Sequence, residues 1–434
     1  MDASDFLRIA REKIDRDPRT RLSAVVKAAM ESTDCVFDAH AHIFDKKCLN
    51  VGYILLRLLK SKVLEYLGLE ALEEVALETD EEKIYEGIRL GKPDSEEDWK
   101  ALDESLKNVL ELTGDAEIMG FDLKEALGIL KKKSMLEVLD LYLDRYSLHQ
   151  IPGFEHRPLV TVILMMDLET GWGIRPKTRL SRQISEIRQI MPVRRILPFL
   201  PLDPRRAGHS HPDDNLYDLF LTAFTDPVYP FFGVKCYPAL GYLPYDARLD
   251  PVFEICAEKN IPVLTHCGGE IVSTFEKEIE VHDENGSKTF TIPGENRTAR
   301  ARYLNDPDLW IPVLNKHQGL KLAFGHFGGD NSWENMSQTG YDERIRKLMG
   351  MMHHQEWKVF ADFSFNVVEG ELFDAFRREL DNHPEITDKT MFGTDYWVVV
   401  PAGDLAGMQK EFLHKMEQHQ NSLLYTAPLN FLLS

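Results

Sequence analysis

Two histidines separated by one residue are the first sign of chemistry in this 434-residue chain. His40 and His42 lie in the apolar run 36–44, whose composition is typical of a β-strand. Because successive side chains on a strand point to opposite faces, both imidazoles project from the same face. Two imidazoles at one strand end supply half of a divalent-metal site.

The spacing alone is not specific, because His209 and His211 repeat it. This second pair lies in the polar stretch 205–214, which has no strand pattern. We interpret that stretch as a solvated loop. The first pair therefore predicts a metal site only if further ligands follow along the chain.

Further candidate ligands end three later apolar runs. His266 ends the run 261–266, His326 ends 320–326 and Asp395 ends 390–395. Barrel enzymes place their reactive groups at the carboxyl ends of parallel strands. Five ionisable groups in apolar surroundings are costly unless a metal or ion pairs compensate their burial. The sequence predicts that these groups meet in one site.

The elements that must position these groups follow an alternating pattern. Helix-period segments, such as 213–225, 246–259 and 341–354, lie between short apolar runs. We count eight candidate strands: 36–42, 159–166, 194–200, 232–237, 261–266, 320–326, 357–363 and 390–395. Near-continuous apolar strands with crossover helices predict an α/β protein, specifically a (β/α)8 TIM barrel.

Two segments exceed a minimal barrel. We divide the chain into an N-terminal helical segment, 1–33, and a barrel domain, 34–434, interrupted by a helical insertion at 45–155. The insertion follows the first strand, so it either caps the barrel mouth or decorates the fold far from the chemistry. Within 271–300, Asn285-Gly286 between alternating runs predicts a β-hairpin, either a lid or a surface hairpin without a role.

Composition limits the partners. The formal net charge of −20 argues against a nucleic-acid partner, because phosphate backbones require clustered Lys and Arg. No apolar run reaches 18 residues, and the charged N-terminal stretch does not resemble a secretory signal, so we expect no membrane partner. Five cysteines without Cys-x-x-Cys spacing suggest reduced thiols and a cytoplasmic location. We expect a small-molecule substrate, and the sequence leaves a homo-oligomer open.

The strand-end motifs resemble those of the amidohydrolase superfamily of metal-dependent barrels. Within it, they resemble the amidohydrolase-related branch that includes aminocarboxymuconate-semialdehyde decarboxylase. The resemblance covers roughly 34–44 and 157–400. Its motifs are His-Ala-His at 40–42, Gly-Val-Lys-Cys-Tyr-Pro at 233–238, Thr-His-Cys-Gly-Gly at 265–269, Gly-His-Phe-Gly-Gly at 325–329 and Gly-Thr-Asp-Tyr at 393–396, together with the segment 305–314.

The resemblance implies a divalent cation, most often zinc, held by His40, His42, His266 and Asp395. A zinc ion with such ligands keeps a position for water and brings the pKa of that water to about 7. Asp395 would accept the proton of the water as general base. His326 would polarise the substrate or form a hydrogen bond to the nucleophile.

The resemblance leaves the number of metals open at Lys235. In two-metal members of the superfamily, a carboxylated lysine in this position bridges both ions, and His266 and His326 would then bind the second metal. Many one-metal relatives keep a lysine here that is not a ligand, and an ordinary ion pair, for example with Glu270, is a further alternative. We favour one metal.

Several side chains after the predicted strands or in the lid segment are candidates for contact with substrate. Arginine among them would suit a carboxylate, which its guanidinium binds in a bidentate manner. The candidates are Trp172, Arg175, Tyr237, Glu270, Arg302, Trp333 and Tyr396.

Three functions are consistent with these residues. The leading hypothesis is a metal-dependent hydrolase in which water attacks an amide, lactone or ester carbonyl of a small, carboxylate-bearing substrate. The second is a metal-dependent decarboxylase of a small unsaturated or aromatic acid, since the same branch contains both chemistries. The third is a barrel that binds a metal or ligand without turnover.

Overall fold

The computed structural model describes most of the chain outside the segment that follows the first strand. The described residues are 1–45, 47–48, 129, 132–172, 176, 178–268, 272–368, 370–396, 398–400 and 404–434. The statements below concern these residues.

Eight parallel strands form one sheet in the order β1-β2-β3-β4-β5-β8-β9-β10. The strands are β1 Val36–Ala41, β2 Leu159–Leu164, β3 Ile196–Leu202, β4 Gly233–Cys236, β5 Val263–His266, β8 Lys321–Gly325, β9 Lys358–Asp362 and β10 Thr390–Met391. Each pair of neighbours in this order is parallel, as crossover helices require. These eight strands confirm the (β/α)8 TIM barrel.

The last strand returns to the first and brings the two ends of the sheet together. The Ala39 amide donates to the Phe392 carbonyl over 3.0 Å, and the Asp395 amide donates to the His40 carbonyl over 2.8 Å. Ala41 and Tyr396 form a further parallel bridge. The predicted strand 390–395 is regular only over Thr390–Met391, and the residues that follow lie beside β1 through these bonds; at Asp395 φ is 54°.

Apolar side chains fill the inside of the barrel. They come from alternate strand positions, such as Phe37 and Ala39 on β1 and Val160 and Val162 on β2. Two helices at the N-terminal ends of the strands continue this cluster through Val26 and Phe431. The barrel is closed below by hydrophobic packing, so its polar chemistry lies at the opposite end.

Helices surround the sheet and provide the crossovers between its strands. Their bounds are α1 Ala3–Lys13, α2 Ala24–Met30, α3 Met135–Arg145, α4 Leu168–Trp172, α5 Leu180–Ile190, α6 Leu216–Phe224, α7 Asp250–Glu258, α8 Arg297–Leu304, α9 Ile311–Lys316, α10 Asp330–Thr339, α11 Glu343–His353, α12 Phe373–Asn382, α13 Pro384–Thr387, α14 Leu405–Lys415 and α15 Ala427–Leu433. Asx caps begin several of them: Asn215 accepts from the Tyr217 amide at α6, and Asp342 accepts from the Arg344 amide at α11. Among the described helices, none is long and apolar enough to cross a membrane.

The two predicted insertions differ in what the structure shows of them. Most of the segment 45–155 lies outside the described residues, apart from α3 and its surroundings. The predicted hairpin is present as two antiparallel strands, β6 Glu278–Asp283 and β7 Gly286–Thr291. Ile279 and Val281 pack on Leu243 and Leu304 beside the barrel. Whether the hairpin acts as a lid stays a prediction.

Candidate metal centre

His40 on β1 and His42 just beyond its end converge on one carboxylate at the C-terminal end of the barrel. His40 Nε2 lies 3.4 Å from Asp395 Oδ1, and His42 Nε2 lies 3.3 Å from the same oxygen. The side chains are buried, with His40 at 0% and His42 at 4% relative exposure. The structure therefore brings together the first predicted pair and the last predicted residue.

Hydrogen bonds to the other ring nitrogens define how these histidines are protonated. His42 Nδ1 lies 2.7 Å from the Leu164 carbonyl oxygen, which can only accept, so Nδ1 donates its proton there. His40 Nδ1 lies 3.0 Å from Asp362 Oδ2 and donates to this carboxylate. In both rings the Nε2 lone pair is left facing Asp395, which is the form that binds a metal.

His266 and His326 form a second contact within the site. His326 Nε2 is 3.0 Å from His266 Nδ1, and His266 Nε2 is 3.0 Å from the Gly268 carbonyl oxygen. Since a carbonyl accepts, His266 carries its proton on Nε2 and turns the Nδ1 lone pair toward His326. The ring of Tyr237 stacks on His266 at 4.0 Å between centroids and fixes its plane.

The sequence interpretation did not include Asp362 and Ser364, which hold the site together. Asp362 Oδ1 accepts from the backbone amides of His326 and Ser364, both over 3.1 Å. The Ser364 hydroxyl lies 3.0 Å from His40 Nδ1 and 3.0 Å from His326 Nδ1, and it also contacts Asp362. A signal was present, because Asp362 lies one residue before the end of the seventh predicted strand, 357–363, much as Asp395 ends the eighth.

Asp38 is the second buried carboxylate that the sequence interpretation did not include. It accepts from the His40 and Thr394 amides over 3.1 and 3.0 Å and from the Thr394 hydroxyl over 2.6 Å. Burial raises the pKa of Asp38 to about 6. Asp38 joins the end of β1 to the segment that carries Asp395.

The backbone is strained at two of the site residues. His326 has φ 63° and Asp395 has φ 54°, in the left-handed region that non-glycine residues rarely adopt. The Asn366 side-chain amide donates to the His326 carbonyl over 2.8 Å and stabilises one of these turns. Strain of this kind persists only where the surroundings impose it, and it concentrates at functional sites.

Two glycines let the backbone approach His40 closely. A Cβ at Gly393 would lie 2.6 Å from His40 Cβ, and a Cβ at Gly325 would lie 3.0 Å from His40 Cε1. Either contact would require the imidazole to move. The Gly-His and Gly-Thr-Asp motifs therefore have a steric reason as well as a chemical one.

Burial shifts the protonation of the site toward neutral groups. It lowers the pKa of His40 and of His326 well below the usual value, and for His40 the nearby Lys235 charge acts in the same direction. Burial raises the pKa of Asp395. Neutral imidazoles are the form that a metal requires.

The donor set fits a divalent cation. Ligand atoms of His40, His326 and Asp395 all lie within 4.8 Å of one another. His40 Nε2 and Asp395 Oδ1 are buried and have no hydrogen-bond partner among the described residues. Leaving such atoms unpaired is costly, and a bound cation would satisfy both.

Lys235 reaches the same site from β4. Its side chain is 2% exposed, and its Nζ has no hydrogen-bond partner among the residues that the structure describes. Burial lowers the pKa of Lys235 to about 8. Lys235 also lines a water-sized cavity of about 10 Å³, together with Tyr237, Tyr242 and Met165.

The predicted substrate-binding residues lie in several places. Tyr237 is at the site, through its contacts with His266 and Lys235. Arg302 lines a separate groove of about 450 Å³ with Asp306, Arg344 and Lys347. Trp172 ends α4, and the side chain of Trp172, with all of Arg175 and Glu270, lies outside the described part.

Trp333 and Tyr396 occupy packing positions behind the site. Both are fully buried, and their polar atoms donate to carbonyl oxygens, Trp333 Nε1 to Phe327 over 2.9 Å and Tyr396 Oη to Val138 over 3.3 Å. Trp333 supports the turn after His326, and Tyr396 packs on Tyr142. Their described contacts support the site and do not open onto a pocket.

Part of the chain matches a known protein family. Residues 228–431 match the family model described as Amidohydrolase. No sequence among the curated proteins matches the chain significantly.

Solved structures with a similar fold share little sequence with the chain. An uncharacterised TIM-barrel protein from Bordetella bronchiseptica is 13% identical, with a TM-score of 0.42 over 69% of this chain and 84% of that one. An amidohydrolase from Burkholderia multivorans with bound zinc is 12% identical, with a TM-score of 0.38 over 66% and 87% of the two chains. Amidohydrolase 2 from Bifidobacterium longum subsp. infantis is 11% identical, with a TM-score of 0.37 over 71% and 90%. At these values the structures carry no argument about the site.

Proposed function

We propose that the chain is a metal-dependent hydrolase of the amidohydrolase superfamily, and the match of residues 228–431 to the family model described as Amidohydrolase supports this. Its substrate would be a small molecule with a carboxylate and an amide, lactone or ester carbonyl. The family match does not distinguish the branch that contains decarboxylases, so that narrower assignment stays a prediction.

One observation carries the proposal: three buried polar atoms at the barrel mouth lack hydrogen-bond partners among the described residues. They are His40 Nε2, Asp395 Oδ1 and Lys235 Nζ. A folded protein leaves few such atoms unpaired, and each one calls for an explanation by an ion, a water or a ligand. A metal for the first two and a substrate anion for the third would account for all three.

His40, His42 and Asp395 would hold the cation, with His266 completing the set. His42 belongs to this set because its Nε2 faces the same Asp395 oxygen as His40 Nε2. A divalent cation bound there supplies the positive charge that acidifies water and polarises a carbonyl. We favour one metal and assign Zn²⁺ as the most suitable ion for imidazole and carboxylate ligands.

Asp395 is the proton acceptor in this proposal. Its carboxylate is buried beside His40 and His42, and burial raises its pKa above the usual value. A raised pKa makes a carboxylate a better base, provided that it is still ionised at the working pH. Asp395 would take the proton of the attacking water and deliver it to the leaving group.

His326 would orient the reacting group from the other side. Its Nε2 is 3.0 Å from His266 Nδ1, and the Ser364 hydroxyl at its Nδ1 fixes the plane of the ring. Burial keeps this imidazole neutral, and its Nε2–H, which points at His266 Nδ1 in this structure, would turn to the substrate once His266 Nδ1 binds the cation. Such a donor suits the carbonyl oxygen of the substrate.

Lys235 would bind the carboxylate of the substrate. It is a buried cation whose Nζ meets no hydrogen-bond acceptor among the described residues, and such a cation gains most from an anion. The alternative role, as a carboxylated metal bridge, would convert the same lysine into an anion. The mass of the intact protein separates the two roles.

Elemental analysis and a substrate panel test the proposal. We expect the purified protein to contain a divalent metal and to hydrolyse at least one amide, lactone or ester of a carboxylic acid. The panel pairs each acid with its methyl ester, so that loss of the carboxylate should raise KM in the wild type but not in Lys235→Met.

The other functions are outcomes of the same assay. Release of CO₂ with the amide or ring intact would identify a decarboxylase and would contradict hydrolysis. If the protein contains no metal, and His40→Gln changes neither metal content nor ligand binding, both the hydrolase and the decarboxylase hypotheses are excluded.

A further inference from the structure

A second group of metal-ligating side chains lies on the outer helical layer, away from the barrel mouth. His353 is the last residue of α11, His383 lies between α12 and α13, and Glu385 is in the first turn of α13. One ligand atom from each lies within 4.8 Å of the other two. Among the described residues, this group and the barrel group are the two that meet that condition.

The three side chains direct their polar atoms at one point. His353 Nε2 is 2.8 Å from Glu385 Oε1, and His383 Nδ1 is 3.5 Å from the same oxygen. The ring centroids of the two histidines are 5.9 Å apart. Two imidazoles and a carboxylate are a common ligand set for zinc, with water in the remaining position.

A fourth residue, Glu379, lies on the other side of the His383 ring. His383 Nε2 is 3.7 Å from Glu379 Oε2, and the Glu379 side chain is itself buried and paired with Arg346 over 2.9 Å. A histidine that binds a metal through one ring nitrogen usually has a carboxylate near the other one. The carboxylate keeps the ring proton on the nitrogen that does not bind the metal.

The protonation of neutral rings explains why a cation suits this arrangement. If His383 carries its proton on Nε2, toward Glu379, then its Nδ1 lone pair faces the lone pairs of Glu385 Oε1. Two acceptors that face each other repel unless the ring is charged or a cation lies between them. A divalent cation accepts the lone pairs of both rings and of the carboxylate at once.

We propose that His353, His383 and Glu385 form a binding site for a divalent transition metal such as Zn²⁺, separate from the barrel centre. The side chains are 37%, 32% and 52% exposed, so the ion is open to solvent and exchanges readily. This proposal does not depend on the proposed function.

The position of the site suggests what the ion does. His353 ends the helix that leads into β9, and His383 and Glu385 lie on the connection that leads into β10. Strand β9 ends in Asp362, and the chain continues from β10 to Asp395. An ion here ties together the entrances of the two strands that deliver the carboxylates of the barrel site.

Titration of Zn²⁺ into the full-length protein tests the site. The barrel metal stays in place, and weakly bound ions are first removed by dialysis. We expect one additional site by calorimetry, and we expect His353→Gln, His383→Gln and Glu385→Gln each to weaken it at least about tenfold. His354→Gln is the matched control, because its ring stacks on Trp357 at 3.9 Å outside the group.

The outcomes separate this proposal from the proposed function. Loss of the additional site in the three variants, with unchanged activity and unchanged barrel metal, supports the proposal. It is overturned if the wild type binds no additional ion, or if the three variants bind it as tightly as His354→Gln does. It is also overturned if the ion lost on substitution proves to be the barrel metal.

Discussion

The chain contains the same three-residue pattern, His-x-His, in two very different places. His40 lies on β1 and His42 just beyond its end, and both are almost completely buried. His209 and His211 lie in the exposed loop after β3, and the His211 ring is 63% exposed. Both pairs lie near or after the C-terminal end of a barrel strand. Of the two, only the first faces a carboxylate oxygen, Asp395 Oδ1, that has no hydrogen-bond partner among the described residues.

The difference lies in what surrounds the second nitrogen of each ring. His40 Nδ1 donates a hydrogen bond to the Asp362 carboxylate, and His42 Nδ1 donates one to the Leu164 carbonyl oxygen. In both rings Nε2 is left unprotonated and faces Asp395. For His211, Nδ1 accepts from the Asp213 amide over 3.1 Å in a local turn. A candidate pair of metal ligands is therefore identified by burial and by the hydrogen bonds that fix its tautomer, and not by its spacing in the sequence.

Removal of the two pairs gives the largest expected contrast. We expect His40→Ala/His42→Ala to lose the barrel metal and to lower kcat/KM by more than the roughly 10–100-fold that loss of an outer partner causes. The cause is the loss of two ligands that no other described group replaces. Metal content by elemental analysis and kcat/KM on the best substrate of the panel measure both effects.

His209→Ala/His211→Ala is the internal control for that experiment. We expect it to keep the wild-type metal content and activity, and to change the free energy of unfolding by no more than about 0.5 kcal/mol, as surface substitutions usually do. Equal loss of metal in both double variants would show that the two pairs do not differ in function.

A smaller contrast concerns the carboxylate beside each pair. We expect Asp362→Asn to weaken metal binding about 10–100-fold, because an amide holds the His40 Nδ1 proton less strongly than a carboxylate does. The matched change is Asp213→Asn, since Asp213 Oδ2 is 3.9 Å from His211 Nδ1 at the surface. Competition with a chromophoric chelator gives the affinity of each variant, and equal affinities would contradict the role of Asp362.

The strand-end ligands could be predicted from sequence because they follow apolar runs that are recognisable without a structure. His266, His326 and Asp395 each end such a run, His40 lies near the end of the first one, and the barrel places those ends at one rim. The eight strands were predicted for the same reason. The last one is regular only over Thr390–Met391, and the apolar run did not indicate where the regular strand stops.

The supporting residues could not be identified in the same way. Asp362 lies near the end of a predicted strand, but its role depends on a hydrogen bond to His40, which is distant in sequence, and Ser364 has no such local signal. Trp333 and Tyr396 show the limit of the pattern from the other side. Both follow strand-end motifs, as pocket residues do, but packing directs their rings into the core.

The same contrast between an unpaired and a paired group separates two buried lysines. Lys235 Nζ has no hydrogen-bond partner among the described residues at the barrel mouth. Lys321, at the start of β8, donates from Nζ to the Leu432 carbonyl over 3.1 Å at the other end. Burial lowers the pKa of Lys321 to about 7, and the charges of Arg21 and Lys358 act in the same direction.

This shift predicts how stability depends on pH. Unfolded Lys321 keeps its proton up to its ordinary pKa, near 10.5, whereas the folded form releases it above about 7. Between these values the unfolded state binds more protons, so the contribution of Lys321 to the free energy of unfolding rises with pH. Its slope is at most about 1.4 kcal/mol per pH unit.

We therefore expect Lys321→Met to remove part of the rise in unfolding free energy between pH 7.5 and 9.5, while metal content and activity stay unchanged. Lys358→Met is the matched comparison: it removes an exposed charge that is a lesser cause of the Lys321 shift than burial is, so we expect it to change the slope less than Lys321→Met does. Urea unfolding at several pH values measures both slopes. If Lys321→Met keeps the wild-type dependence of unfolding free energy on pH, Lys321 does not titrate in this range. Its hydrogen bond to the Leu432 carbonyl would then stabilise the charged form as much as water does.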